Sequence, residues 1–381
     1  MQTLADESRH IVLFGPSFGE GGVARDIVNL ANGFVRTGME VSVLVNRPNG
    51  LFTGQLHREV RQVVLPSRSD RGLARELLAF IRAHRPAVVL TTEERDDGIA
   101  VAVREELDDP GVRFFLRMVT TLSVRLANQY RFRLNRVLYR RRLRRIYRHC
   151  DGVICNSEGV ADDLVAFLDL PREGIAVLPN PTITPELLAA AEEPLAHPWF
   201  APGEPPVILG AGRLGRAKDF GTLLKAFALL RRKRPCRLLI LGQGRQKERL
   251  EAQARRLGVA ADFELPGFVS NPYAYMARAG LFVLSSLWEG CPNVLIEAMA
   301  VGTPVVATDC RSGPREVLQG GRFGPLVPLR DAETMAGAMA ATLDRPLPAA
   351  ALGEAVQGYT VENSVRLHLQ TFFLKVPRVR P

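Results

Sequence analysis

Short apolar runs alternate with helix-period segments along this chain, and they do so in two separate series. Residues 11–14, 41–45, 87–90, 152–155 and 175–178 are the runs of the first series. They read as strands buried on both faces. Between them, residues 23–36 place Ile27, Leu30, Ala31 and Phe34 at helical spacing, and residues 73–84 form a second helix ended by Pro86. Strands alternating with helices predict a parallel sheet, because a parallel pair needs a crossover. Residues 194–206 then hold Pro194, Pro198, Pro202, Gly203, Pro205 and Pro206, which reads as a linker. The alternation restarts with strands at 207–209, 237–241, 281–285 and 304–307, and helices at 220–232, 246–257 and from 293. An α/β chain of two doubly wound, Rossmann-like domains follows, spanning 1–195 and 200–358. A chain of 381 residues is also too long for one ordinary core. A last helix is expected at 361–373, after Gly358.

Composition narrows the class. Hydrophobic residues make up 46% of the chain, yet no apolar run approaches the ~20 residues of a membrane-spanning helix. Residues 1–10 are polar and do not resemble a secretory signal. The five cysteines (Cys150, Cys155, Cys236, Cys291, Cys310) are odd in number and form no CxxC pair. They read as reduced thiols of a cytoplasmic protein.

The chemistry centres on Glu289-Gly-Cys-Pro-Asn-Val-Leu-Ile-Glu297, behind the turn Leu287-Trp288 and the strand 281–285. Glu289 falls in the loop beyond the strand's carboxyl end, and Glu297 about two turns into the next helix. The loop's N–H groups sit at the positive end of the helix dipole. Two carboxylates for hydroxyls and amides for phosphates suit a nucleotide sugar. After the first strand of the second domain come Arg213 and Lys218, fixed cations of the kind a leaving diphosphate needs. No Asp-x-Asp occurs anywhere; the acidic doublets Asp96-Asp97, Asp108-Asp109 and Asp162-Asp163 are adjacent pairs.

These residues carry a resemblance. Glu-x7-Glu followed by Ala298-Met-Ala-Val-Gly302-Thr-Pro304-Val-Val-Ala307 resembles the signature of the retaining GT-B glycosyltransferases of family 4. Gly210-Ala-Gly212-Arg213-Leu214 with Lys218-Asp219-Phe220, Leu265-Pro-Gly267-Phe268, and Gly21-Gly22-Val-Ala-Arg25 with Asn29-Leu30-Ala31 extend it. The resemblance covers nearly all of the C-terminal half and the ends of the N-terminal half. It implies a GT-B fold whose two domains face a central cleft, with the final helix (360–381) packing back on the first domain. It implies that Arg213, Lys218 and Glu289 are catalytic. Glu297 would bind ribose, and the stretch Cys291, Asn293, Val294 and Leu295 would face the sugar and phosphates. Gly242 and Gly244 would let the backbone approach the nucleotide, and Gly267 and Phe268 would line the base. Gly21 and Gly22 open a helix that can bind the donor phosphates. No metal or other cofactor is expected, because cationic side chains take the metal's place on the diphosphate. In one respect the chain departs from the pattern. Many relatives carry a histidine in the segment 116–123, whereas here no histidine lies between His84 and His149. Val119 aligns with it, and its role falls to Thr120 or Arg117 or is not filled at all.

The net charge of +10 is local. Twelve arginines and no acidic residue lie between Asp109 and Asp151 (Arg113, Arg117, Arg125, Arg131, Arg133, Arg136, Arg140, Arg141, Arg142, Arg144, Arg145, Arg148), and without them the chain carries −2. Leu126, Tyr130, Leu134, Val137, Leu138 and Tyr147 recur among them at near-helical spacing. Such a helix reads as binding an anionic membrane surface through Arg133, Arg136, Arg140, Arg141, Arg144 and Arg145. A solvated helix with its apolar side in the core is the plain alternative. Nucleic acid is disfavoured, since no recognised binding motif accompanies the charge. The expectation is transfer of a sugar, with retention, from a UDP-sugar rather than a GDP-sugar donor to a glycan or lipid-linked glycan, by an enzyme peripheral on the cytosolic face of a membrane. The alternatives are a UDP-sugar epimerase of the same fold and a non-catalytic membrane-binding scaffold.

Overall fold

The computed structural model describes residues 9–15, 21–46, 53–129 and 133–373. Residues 16–20 of the glycine-rich loop, Arg131, Tyr130, the tail beyond 373 and the side chain of Arg133 lie outside the described residues. Along the chain run β1 (His10–Phe14), α1 (Gly22–Arg36), β2 (Glu40–Val45), β3 (Arg61–Val64), α2 (Asp70–His84), β4 (Val88–Thr91), α3 (Glu94–Leu107), β5 (Arg113–Met118), α4 (Leu122–Gln129), α5 (Arg133–Arg148), β6 (Gly152–Cys155), α6 (Glu158–Leu168) and β7 (Ile175–Val177). There follow α7 (Pro185–Glu192), β8 (Val207–Ala211), α8 (Phe220–Arg231), β9 (Arg237–Leu241), α9 (Lys247–Leu257), β10 (Phe263–Gly267), α10 (Pro272–Arg278) and β11 (Leu281–Leu284). The chain ends with α11 (Asn293–Ala300), β12 (Val305–Thr308), α12 (Pro314–Val317), β13 (Leu326–Val327), α13 (Ala332–Asp344), α14 (Ala349–Ala355) and α15 (Val361–Phe373).

Two parallel sheets result, ordered β3-β2-β1-β4-β5-β6-β7 and β10-β9-β8-β11-β12-β13. Each belongs to its own unit, one built of residues 1–181 and 361–381, the other of 182–360. The proline-rich stretch does not mark the division. Helix α7, which the sequence reading places in the first domain, packs within the second unit, where Asn271 and Arg278 bond to its last carbonyls, Ala190 and Ala191.

Helix α15 belongs to the first unit. It lies on α1 at Gly33, where a Cβ would come within 2.5 Å of Val365 Cγ2 and 2.8 Å of Val361 Cγ1. Phe372 is fully buried between Phe34 and Phe115, and its carbonyl accepts a hydrogen bond from Arg113. Ser364 Oγ donates to the Pro179 carbonyl at 2.6 Å. His368 is buried beside Phe34, Phe372 and Arg117, and that burial lowers its pKa to about 4.

The arginine-rich stretch is not one helix. Arg113 and Arg117 lie on β5, a central strand that the charges conceal in the sequence. The rest divides into α4 and α5. On α5 the inward face is Tyr139, Leu143, Ile146 and Tyr147. Leu134 (67% exposed), Val137 (45%) and Leu138 (54%) point outward, although their spacing places them with Leu126 and Tyr147, which are buried. Helix α5 is held by the acidic first turn of α3. Tyr139 Oη donates to Glu94 at 2.5 Å, Tyr147 Oη donates to Asp97 at 2.6 Å, and Arg125 of α4 pairs with Glu94. Thr91 Oγ1 takes the other Asp97 oxygen at 2.6 Å. The remaining flank of α5 meets the carboxyl end of α6. Arg140 donates to the Phe167 carbonyl and stacks on its ring, Arg144 pairs with Asp169, and Arg148 donates to the Asp169 carbonyl at 3.1 Å. Cations at a helix carboxyl end satisfy orphan carbonyls and oppose the dipole. Arg140 and Arg144, expected on a membrane-facing side, bond to the end of α6 on this flank.

Burial raises the Asp96 carboxyl to about 8, with Glu93 and Asp97 adding repulsion, and raises Asp97 to about 7. Both exceed the unfolded value of 3.8, so the folded chain holds protons that the unfolded chain releases. Their stabilisation is complete below about pH 4 and is lost as pH rises through about 7 and 8. The melting temperature of the first unit is expected to fall between pH 6 and pH 9, and to fall less in Asp96→Asn. Calorimetric scans across that range test this, and parallel slopes for the two proteins would refute it.

Candidate active site

In a doubly wound sheet the ligand crevice opens outside the strands' carboxyl ends, where the strand order reverses. In the second unit this point lies between β8 and β11. The loop after β8 carries Arg213, which is exposed, and a single helical turn that brings up Lys218. Asp219 then adopts a left-handed conformation (φ 42°) before α8 begins. The loop after β11 carries Glu289 and leads into α11. The two loops meet. Lys218 Nζ donates to Glu289 Oε1 at 2.6 Å, and Ser286 Oγ donates to the same oxygen at 2.6 Å. The Lys218 and Glu289 side chains are 18% and 15% exposed, so the pair is half-shielded from water and still reachable. Backbone contacts fix it from beneath: Ser285 Oγ to the Lys218 carbonyl (2.7 Å), the Leu287 amide to the Ala217 carbonyl (2.7 Å), and Thr308 Oγ1 to the Ser286 carbonyl (2.6 Å).

Helix α11 starts after Pro292, which gives no side-chain cap to its N-terminus. A helix start of this kind attracts anions. Asn293 and Val294 are half-buried there and Cys291 is buried beside them. Leu295 does not fit the role expected of it. Its side chain is in the core and its amide donates to the Pro292 carbonyl at 2.9 Å. Glu297 is buried at 3% exposure, so it is not a solvated helix carboxylate.

The neighbouring loops close around this point. Gly242 (φ 140°) and Gly244 (φ 155°) lie over the loop after β8. A Cβ would stand 2.0 Å from the Gly212 carbonyl oxygen at Gly242 and 2.4 Å from the Leu214 oxygen at Gly244. The close approach that these glycines permit is therefore to the preceding loop of the chain. The amide of Gly242 donates to the Gly267 carbonyl at 2.8 Å, and Phe268 next to it is 49% exposed. Gly313 (φ 90°) passes Gly290 as closely, with a Cβ 2.6 Å from its oxygen.

The first unit has its own reversal between β1 and β4, where a Cβ on Gly15 would meet Thr92 Oγ1 at 2.2 Å. Gly21 (φ 140°) precedes α1 and gives it no side-chain cap, with Gly22 as the first helical residue. Arg117, one candidate to replace the missing histidine, is held by the fold through one of its nitrogens, Nη2. Its guanidinium is buried and donates to Asp26 at 2.9 Å and Asn180 at 3.0 Å. Thr120 and Val119 are half-buried. Ser285, Ser286 and Thr308, which hold the Lys218–Glu289 pair, were missed in the sequence reading. Their signal is hydroxyls closing otherwise apolar strands.

A parallel α/β chain with a cation–carboxylate pair at a switch point, beside a helix start, has its polar groups gathered where doubly wound folds place a ligand. Residues 205–345 match the family model described as Glycosyl transferases group 1, and residues 20–184 the one described as Glycosyltransferase Family 4. The chain belongs to the group 1 glycosyltransferases. It is 33% identical over 224 residues, 58% of each chain, to the Campylobacter jejuni N-acetylgalactosamine-N,N'-diacetylbacillosaminyl-diphospho-undecaprenol 4-alpha-N-acetylgalactosaminyltransferase. It is 34% identical over 193 residues to the lipopolysaccharide core biosynthesis glycosyltransferase LpsE of Rhizobium meliloti, covering 51% of this chain and 54% of that protein. The chain thus spans about half the length of these curated relatives. Among solved structures, Anabaena HepE in complex with UDP aligns over 95% of this chain and 99% of its own, with a TM-score of 0.76 and 18% identity. The same protein with UDP-glucose aligns at 0.76 and 19%. At that identity the likeness concerns the fold, which is GT-B. Among the described residues no helix is long and apolar enough to cross a membrane.

Gly242→Ala places a methyl group on a carbonyl oxygen at a left-handed φ. It is expected to destabilise the second unit by about 3 kcal/mol, from overpacking and backbone strain together. Urea unfolding monitored through Trp288 and Trp199 measures this, and a loss within ~0.5 kcal/mol would contradict the packing described.

Proposed function

We propose that the protein transfers a sugar from a UDP-sugar donor to a glycan or lipid-linked glycan acceptor, with retention and without a metal. The observation that carries this reading is the Lys218–Glu289 pair at the β8/β11 switch point, beside the uncapped start of α11. In a nucleotide sugar, the diphosphate and the sugar's hydroxyls are neighbours. A bonded cation and carboxylate suit both at once, Lys218 toward the diphosphate and Glu289 toward the sugar. Exposed Arg213 adds a second cation, able to bind phosphate through paired N–H donors. Glu297 serves the ribose, and Phe268 with Gly267 lines the base. The relatives' names support the acceptor class, since one acts on a diphospho-undecaprenol-linked sugar and another in lipopolysaccharide core biosynthesis. HepE binds UDP and UDP-glucose, which supports the donor class.

In the reaction the bond between the anomeric carbon and the diphosphate oxygen breaks. The acceptor oxygen bonds to the same carbon on the same face. The acceptor's proton passes to the departing diphosphate, which serves as base, and no protein nucleophile is assigned. Lys218 and Arg213 stabilise the charge that grows on the leaving group.

The membrane reading is narrowed by the fold. At 100° per residue, Leu134, Val137, Leu138, Arg141 and Arg145 lie on one side of α5, away from its buried face. An apolar tip with arginines behind it suits the surface of an anionic bilayer at the cytosolic face, where a lipid-linked acceptor resides. Nucleic acid remains disfavoured.

UDP at a hundred times its dissociation constant should stabilise the protein by about 2.7 kcal/mol. The melting shift is expected with UDP over GDP and ADP, to persist in EDTA, and to vanish in Glu297→Ala. A shift that EDTA abolishes and Mg²⁺ restores would rule out the metal-free mechanism. For the helix, replacing Arg141 and Arg145 with Gln together should weaken sedimentation with anionic liposomes about thirty-fold, at ~1 kcal/mol per cation. Unchanged sedimentation would dispose of the membrane role.

A further inference from the structure

The chain enters the second unit at Thr182 and leaves it at Thr360. These two crossings are bonded to each other. The amides of Thr182 and Ile183 both donate to the Tyr359 carbonyl, each at 3.0 Å, and Ile183 forms an isolated parallel bridge with Thr360. Each crossing is also bonded to the loop that begins α11. Thr182 Oγ1 donates to Asn293 Oδ1 at 3.2 Å. The Tyr359 phenol is hydrogen-bonded to Cys291, in a setting that also feels Glu316. Burial holds that phenol well above its ordinary pKa, so it stays protonated.

These polar contacts are not needed for packing. Thr182 is 3% exposed, and valine would fill the same space. A buried hydroxyl costs stability unless it is bonded, so its presence where a hydrophobe would fit calls for a reason beyond the core. Both hydroxyls reach the same four-residue loop, Gly290–Asn293, one from each crossing. That loop is also held by Ser312, whose Oγ donates to the Gly290 carbonyl at 3.0 Å. Its position is therefore set by residues with no side chain in the donor motif.

We propose that Thr182 and Tyr359 are positioning residues of the donor site, which set the loop Gly290–Asn293 from the two crossings and through which a bound nucleoside diphosphate orders both crossings in return. This rests on reading the start of α11 as the donor phosphate site. Coupling of this kind is reciprocal: if the crossings favour the bound form of the loop, the ligand stabilises the crossings equally.

Amide hydrogen exchange on the full chain, with and without UDP, tests it in the wild type, Thr182→Val, Thr182→Ser and Tyr359→Phe. In the wild type, UDP at a hundred times its dissociation constant should slow exchange in residues 290–297. It should also slow exchange at Thr182 and Ile183, by up to about a hundred-fold if opening the crossings requires release of the ligand. Thr182→Val and Tyr359→Phe should lose the slowing at the crossings and keep it at 290–297. Each should weaken UDP by about five-fold, the equivalent of about 1 kcal/mol for one hydrogen bond. Thr182→Ser, which keeps the hydroxyl, should behave as wild type. A role in folding alone would lower the melting temperature of the variants without changing the ratio of exchange rates with and without UDP. UDP slowing at 290–297 with none at 182–183 in the wild type would overturn the proposal and leave the donor site standing. No slowing at 290–297 would overturn the donor reading itself, and the proposal with it.

Discussion

Parallel strand direction is the constraint on which the site depends. Every strand of the second sheet ends on the same edge, so the loops that leave β8, β9, β10, β11 and β12 gather there. The crossovers from β8 run to one side while β11 pairs on the other, which leaves room between those two ends. Lys218 and Glu289, 71 residues apart, are brought to 2.6 Å by this topology. A half-buried ion pair loses much of its attraction to desolvation unless further bonds complete it. Ser286 on the carboxylate and the backbone contacts beneath Lys218 do that. The unusual backbone conformations of Gly212, Asp219, Gly242, Gly244 and Gly313 cluster in the same loops. Four of these five are glycines, which adopt such backbone freely, and Asp219 is the one residue among them that pays for it.

The first unit repeats the topology and uses its charges differently. Six of the twelve arginines that make the chain basic in this region are engaged by the fold. Arg113 holds the last turn of α15, Arg117 is buried against Asp26, Arg125 pairs with Glu94, and Arg140, Arg144 and Arg148 close the end of α6. The tyrosines of α5 bond to buried carboxylates at the start of α3, which decides the rotation of α5 about its axis. That rotation is what leaves Leu134, Val137 and Leu138 exposed.

Much of the framework was legible in the sequence because it depends on local pattern. Apolar runs at 11–14, 41–45, 237–241 and 281–285 became strands within a residue or so, and the periodicity of 23–36 became α1. Strand β5 was not legible, since Arg113 and Arg117 interrupt its apolar run and their partners come from α1, α15 and residue 180. The apolar side of α5 was misjudged for a related reason. Spacing groups Leu134, Val137 and Leu138 with Tyr147, but hydrogen bonds from Tyr139 and Tyr147 to α3 outweigh the spacing. The domain division was misplaced because prolines mark a turn in the chain, whereas a unit is defined by packing, and α7 packs on α10.

The sequence by itself determined the class of fold, the family and the residue types of the candidate site. Periodicity and motif spacing are local properties, and neighbouring residues suffice to express them. Tertiary structure alone decided that Lys218 bonds to Glu289, that Arg117 is buried against Asp26, that Leu295 lies in the core, and that Thr182 and Tyr359 reach the loop before α11. Those facts depend on which elements lie side by side in each unit. Burial and hydrogen-bond satisfaction across the whole unit choose that arrangement, and no stretch of sequence encodes it alone.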